Sequence, residues 1–190
     1  MSRIALVARH RYPAPSQEIA PTMLHVCPLV RLADTVSATG ARHVVTLINA
    51  GTPVARPAAV AAEDHLFLGL NDIVAAEPGL TPPAAAHVEA FLAFVDRWGR
   101  SGPLVIHCYA GISRSTAAAF IAACAIDPRR PEAEIAAALR AASPTATPNA
   151  RLVALADDLL GRRGRMRSAV AAIGRRRAAF EGVPFPLATE

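Results

Sequence analysis

Val105-Ile106-His107-Cys108-Tyr109-Ala110-Gly111-Ile112-Ser113-Arg114-Ser115-Thr116 is the stretch on which the reading of this chain turns. An apolar run enters it as a buried strand, and an alanine-rich helix leaves it. The loop between them is short enough to curl its backbone amides around one tetrahedral anion. Amides at a helix N-terminus lack intrahelical acceptors and lie at the positive end of the helix dipole, so they bind anions. The same field favours the thiolate of a cysteine placed there, which is the nucleophilic form. Gly111 suits a mid-loop position where a side chain would obstruct the backbone or φ must be positive. Arg114 offers a planar fork for two phosphoryl oxygens, a geometry that Lys lacks. Tyr109, Ala110, Gly111, Ile112, Ser113 and Arg114 are therefore the expected anion-binding residues, with Cys108 as nucleophile. Ser115 stands at the helix start, where its hydroxyl can cap amides or donate to the Cys108 sulfur. His107 is expected to tune the nucleophile indirectly, by hydrogen bonding to the loop backbone. The competing reading of Cys108, a structural thiol at a strand end, accounts for none of the Gly, Arg and Ser that surround it.

The pattern His-Cys-x-x-Gly-x-x-Arg-Ser resembles the signature of the cysteine-dependent protein tyrosine and dual-specificity phosphatases. That resemblance implies hydrolysis of phosphate monoesters through a phosphocysteine intermediate, with no metal and no cofactor. It also implies a general acid on a loop that precedes the cysteine, after a strand and before a helix. Asp72 matches, 36 positions before Cys108 (108 − 72). Glu77 and Asp64 are the competitors, although Asp64 precedes the strand and falls at its wrong end. The stretch 139–149 resembles the region ending in Pro-Asn after the catalytic helix of the family, with Ser143 where that pattern has Arg. Asn149 is then expected to cap a helix and brace the site. The loop lacks the lysines expected in relatives that take inositol phosphates, which favours phosphotyrosine or mixed phosphoprotein substrates. Two rivals stand beside this reading. One is a phosphatase-like module that binds phosphoproteins with little or no turnover; the other is a rhodanese-like sulfurtransferase, whose loop is shorter and lacks the His-Cys and Arg-Ser frame.

Outside the loop, the pattern reads as alternating strands and helices. Apolar runs at 3–7, 23–30, 43–49, 65–70 and 104–106 suggest strands, and the β-branched run at 43–49 suggests burial on both faces. Helical periodicity marks 32–40, 84–98, 116–126, 131–142 and 150–160, with Thr81-Pro82-Pro83 opening the second and prolines punctuating the later breaks. The expected fold is a single α/β domain with a mainly parallel central sheet flanked by helices, tyrosine-phosphatase-like and of the dual-specificity type. Its ligand site lies beyond the carboxyl ends of the strands, where Cys108 falls. A phosphatase domain over 1–161 would be followed at 162–190 by an arginine-rich helix and tail, packed on the domain or extending from it. Solvation is the plain reading of that basic tail; acidic phosphopeptide, nucleic acid or anionic lipid are the alternatives, and the lack of interleaved aromatics argues against nucleic acid.

Composition bounds the rest. A chain of 190 residues suits one domain with a sizeable core. No apolar run approaches the roughly 18 residues of a membrane span, and the first residues lack the pattern of a signal peptide, so a cytoplasmic protein is expected. Three cysteines make no disulfide framework; Cys124 reads as core, and Cys27 as a possible trap for oxidised Cys108 only if the fold brings the two together. No Cys and His spacing suggests a metal site. The net charge of +5 is carried entirely by arginine, with no lysine in the chain, a high-GC signature that suggests a bacterial source. The expected partner is a phosphotyrosine-containing protein or another phosphomonoester. Oligomeric state stays open.

Overall fold

Leu104–Cys108, the strand that delivers the loop, is at most 1% exposed at any residue. Only a strand covered on both faces and paired on both edges tolerates that, which is why it reads as an unbroken apolar run. The computed structural model describes residues 23–174 and 177–189, and among them the sheet has five strands: β1 (Met23–Pro28), β2 (His43–Ile48), β3 (His65–Gly69), β4 (Leu104–Cys108) and β5 (Phe185–Ala188). They lie in the order β3-β2-β4-β1-β5. The first four strands are parallel, and β5 joins β1 antiparallel. Leu24 faces Leu104 and Pro28 faces Cys108, so β1 and β4 end together. This shared end is the site.

One face of the sheet is covered by α1 (Leu32–Thr39), whose Leu32 and Val36 pack with Val44, Val60 and Val105. The other carries α2 (Ala85–Trp98), α3 (Arg114–Ile126), α4 (Glu132–Ala142), α5 (Ala150–Leu159) and α6 (Arg165–Ala172). Every residue of α3 from Arg114 to Cys124 is buried. A helix buried all round has no polar stripe to show, and its alanines let it sit close to sheet and helices alike. The α/β architecture with a mainly parallel sheet is as expected. The strand expected at 3–7 lies outside the described residues. β4 runs on to Cys108 and α3 begins at Arg114, so the loop is tighter than the expected boundaries of 106 and 116.

Beyond residue 161 the chain belongs to the same core. Met166 and Phe185 are buried with the central cluster. Asp157, fully buried, accepts hydrogen bonds from the backbone N–H groups of Gly164 (2.5 Å), Met166 (2.8 Å) and Arg167 (3.3 Å), and so caps α6. Arg162 is buried too: it donates to Glu132 (3.0 Å) and to the carbonyls of Pro128 (3.1 Å) and Cys124 (2.5 Å), while Arg165 reaches the same carboxylate. Arg162 is thus a buried brace rather than part of a solvated basic face, while Arg165 grips the same carboxylate from the exposed side. The strand β5 was not foreseen, because four residues containing Pro186 carry too short a pattern; the sheet edge is where a proline is tolerated. Asp157→Ala removes the acceptor of three backbone donors at once, that of Met166 buried, so the unfolding free energy should fall by about 2–4 kcal/mol, read as a lower denaturation midpoint at unchanged slope.

Candidate active site

Four carbonyls of the loop 109–113 turn outward to backbone donors that lie outside it. Tyr109 O accepts from Leu29 N (3.1 Å), Ala110 O from Gly182 N (2.8 Å), Ile112 O from Thr147 N (2.9 Å), and Ser113 O from Ala117 N (2.9 Å) and Asn149 N (3.4 Å). In a trans peptide the N–H points opposite to the C=O, so outward carbonyls mean inward amides. The N–H of Gly111 donates to Cys108 Sγ at 3.2 Å. Gly111 has φ +70°, and a Cβ there would lie 2.7 Å from Pro28 N and 2.9 Å from the Cys27 carbonyl carbon. Conformation and space both demand glycine. Buried Ser115 places its Oγ 3.1 Å from the same sulfur.

Arg114, the first residue of α3, is 5% exposed. Its Nη1 donates to Asn49 Oδ1 and to the Leu70 carbonyl, both at 2.8 Å. That anchors one corner of the guanidinium and leaves the edge carrying Nε turned to the site. Nε is buried without a hydrogen-bond partner, a condition that costs about 1–3 kcal/mol unless a ligand oxygen meets it. Asp72 Oδ2 lies 3.9 Å from that Nε, while its Oδ1 accepts from Ser113 Oγ and Asn149 Nδ2, both at 2.7 Å. Asn149 uses the other end of its amide to cap α5, Oδ1 accepting from Arg151 N (3.1 Å) and Leu152 N (3.0 Å).

These groups face one open cavity of about 680 Å³, walled by the loop, by Asn71, Asp72 and Ile73, by Asn49 and Thr52 beyond β2, and by Thr147 and Ala179. The competing acids are elsewhere: Asp64 lies 3.3 Å from the His43 ring, and neither it nor Glu77 lines the cavity. Ser143 is buried beside the Thr145 hydroxyl, away from the cavity wall.

His107 places its Nε2 2.7 Å from Thr46 Oγ1 on β2, and its ring also interacts with the Cys108 backbone at the start of the loop. The same hydroxyl is 2.7 Å from His65 Nε2. One hydroxyl hydrogen cannot serve two imidazoles, so at least one Nε2 carries a proton and donates to the Thr46 oxygen. Burial pushes His107 down to about 4, with the Cys108 backbone opposing and His65 adding to the fall. Burial, with the Arg56 charge, also lowers His65. The thiols of Cys27 and Cys124 are pushed up to about 11 and about 12, chiefly by burial.

Sequence reasoning missed Asn49, Thr147 and the contact from Gly182. Asn49 carried one usable signal, its place just past the carboxyl end of a parallel strand, where ligand-binding side chains collect.

No family model matches the chain, and no curated protein does. Solved structures do. Human DUSP28 is 21% identical, with 82% of this chain and 97% of that chain covered at a TM-score of 0.56. DUSP15 is 17% identical, with 81% and 94% covered and a TM-score of 0.56. The PTP-2 phosphatase of Cydia pomonella is 20% identical, with 71% and 84% covered and a TM-score of 0.56. The chain therefore shares the fold of these phosphatases.

Because an unfolded imidazole takes up its proton near pH 6.5 and His107 resists until about 4, the unfolded state binds more protons between those values. Stability is then lost as pH falls through that window. Between pH 7 and 4.5 the wild type should lose about 2 kcal/mol more unfolding free energy than His107→Asn, measured by denaturant titration at both values.

Proposed function

We propose that this chain is a cysteine-dependent phosphomonoester hydrolase, acting on phosphotyrosine or on mixed phosphoprotein substrates through a phosphocysteine. The observation that carries the reading is the convergence on one cavity of Cys108 Sγ, the unpartnered Nε of Arg114 and the oriented carboxyl of Asp72. The fold shared with dual-specificity and tyrosine phosphatases adds support.

In the proposed mechanism the phosphoryl oxygens lie against the inward amides and the free edge of Arg114, where charge spreads in the transition state. Cys108 Sγ attacks phosphorus in line, forming the S–P bond as the O–P bond to the leaving group breaks. Asp72 gives its proton to the departing oxygen. Its carboxylate then takes a proton from water, the water oxygen attacks phosphorus, and the S–P bond breaks to release phosphate. Ser115, 3.1 Å from Sγ, hydrogen-bonds to the departing sulfur. Every step uses groups of this chain and water. The lysine-free loop favours a phosphoamino acid over a polyphosphorylated sugar. Three free cysteines fit a reducing compartment, which supports a cytoplasmic setting, and the arginine-only composition supports a bacterial source. Among the described residues no helix is long and apolar enough to cross a membrane.

Hydrolysis of para-nitrophenyl phosphate across pH 5 to 8, in reductant and chelator, should be readily measured for the wild type and vanish for Cys108→Ser. Folded wild type without turnover on this substrate or on a phosphopeptide panel would replace the hydrolase by a phosphoprotein-binding module. Asp72→Asn should slow turnover of a substrate with a poor leaving group by about 100-fold or more, and less for para-nitrophenyl phosphate, whose leaving group needs little help. An equal loss on both would remove Asp72 from the role of acid.

A further inference from the structure

Residues 177–184 cross the outer side of the phosphate-binding loop on their way from α6 to β5. The crossing is anchored at Arg177, whose N–H donates to the Pro144 carbonyl at 2.9 Å, and at Phe185, buried at the start of β5. Between these anchors Gly182 meets the loop. Its N–H donates to the carbonyl of Ala110 at 2.8 Å. A Cβ on Gly182 would lie 2.9 Å from the Gly111 carbonyl oxygen, 3.3 Å from the carbon of that carbonyl and 3.4 Å from Ala110 O. The backbone of the strap thus lies directly on the backbone of the loop.

The carbonyl it touches and the amide that touches the sulfur belong to one peptide unit. Ala110 C=O and Gly111 N–H share a rigid plane and point opposite ways. At one end Gly182 N–H holds the carbonyl outward; at the other Gly111 N–H donates to Cys108 Sγ at 3.2 Å. Rotating that plane weakens both bonds together. Donation to the carbonyl also polarises the peptide and strengthens its N–H as a donor. The opposite side of Gly111 is blocked by Pro28 and Cys27, where an added Cβ would lie 2.7 Å from Pro28 N. The loop is clamped between β1 and the strap.

We propose that Gly182 is a positioning residue for the nucleophile: through the 110–111 peptide it orients the amide that stabilises the Cys108 sulfur as an anion, so the C-terminal strap is part of the active site. This rests on Cys108 being the reactive thiol. It does not require that phosphate be turned over.

The test uses the full chain and two readouts. The first is the rate at which iodoacetamide alkylates Cys108 at pH 6.5, located by peptide mass. Cys27 and Cys124, held up to about 11 and about 12, are largely in the unreactive thiol form at that pH. The second is kcat and KM for para-nitrophenyl phosphate. Gly182→Ala, which pushes a methyl against the loop, and Gly182→Pro, which removes the donor, should each slow alkylation by about tenfold and lower kcat more than they raise KM. Val183→Ser, on an exposed side chain of the same strap, should leave both readouts unchanged. Melting curves accompany each variant, and a Gly182 variant that melts with the wild type yet alkylates and turns over at wild-type rates would overturn the proposal. A slowed alkylation in a protein that hydrolyses no phosphate ester would uphold the strap while sinking the hydrolase, so the two readings fail separately.

Discussion

A loop can offer a ring of amides to an anion only if its carbonyls are engaged elsewhere. Here Leu29, Gly182, Thr147 and Asn149 supply backbone donors for four outward carbonyls, from three segments far apart in the chain. Without these partners the loop has little reason to keep its amides facing inward, since each peptide is free to turn its carbonyl toward water or toward the sulfur. The parallel sheet, the burial of α3 and the docking of the C-terminal segment all serve to bring those donors to the carboxyl ends of β1 and β4. An anion arriving at the proposed site would meet donors already oriented, which is where such sites gain most over water.

Asn149 shows how little slack the arrangement has. Its side-chain carbonyl caps α5, its side-chain amide holds Asp72, and its backbone N–H supports the Ser113 carbonyl. Ser113 in turn gives its hydroxyl to Asp72. The acid, the anion loop and the start of a core helix therefore share one small cluster of hydrogen bonds, and a shift in α5 is transmitted to the carboxyl group.

What could be read in the residues follows from how local each signal is. The loop was legible because its chemistry depends on residue types at fixed short spacing, and the place of Asp72 beside it because Asp72 lies just beyond a strand that apolar patterning had already located. α3 announced itself by alanines between an anion loop and a proline break. Asn49 was not legible: a polar residue after a strand looks like a turn until Arg114 is brought beside it, 65 positions away in sequence. Arg162 was misread for the same reason, as its burial depends on Glu132 on another helix. His107 illustrates a different limit, because its bond to Thr46 is set by the neighbouring strand and no pattern in its own strand reports it. Gly182 and β5 depend on pairing with β1, and no local pattern reports such a contact.

That last pairing has a consequence for the order in which the molecule is made. Met23 faces Ala188, so the edge of the sheet joins the first described strand to the last and closes a loop of nearly the whole chain. During synthesis the parallel core and its helices can assemble while this edge is still open. The strap reaches the anion loop only when the residues on both sides of Gly182 are out of the ribosome. The growing protein therefore passes through a stage in which its core is largely built and the loop around Cys108 is not yet fully held, a built-in delay between folding and completion of the proposed site.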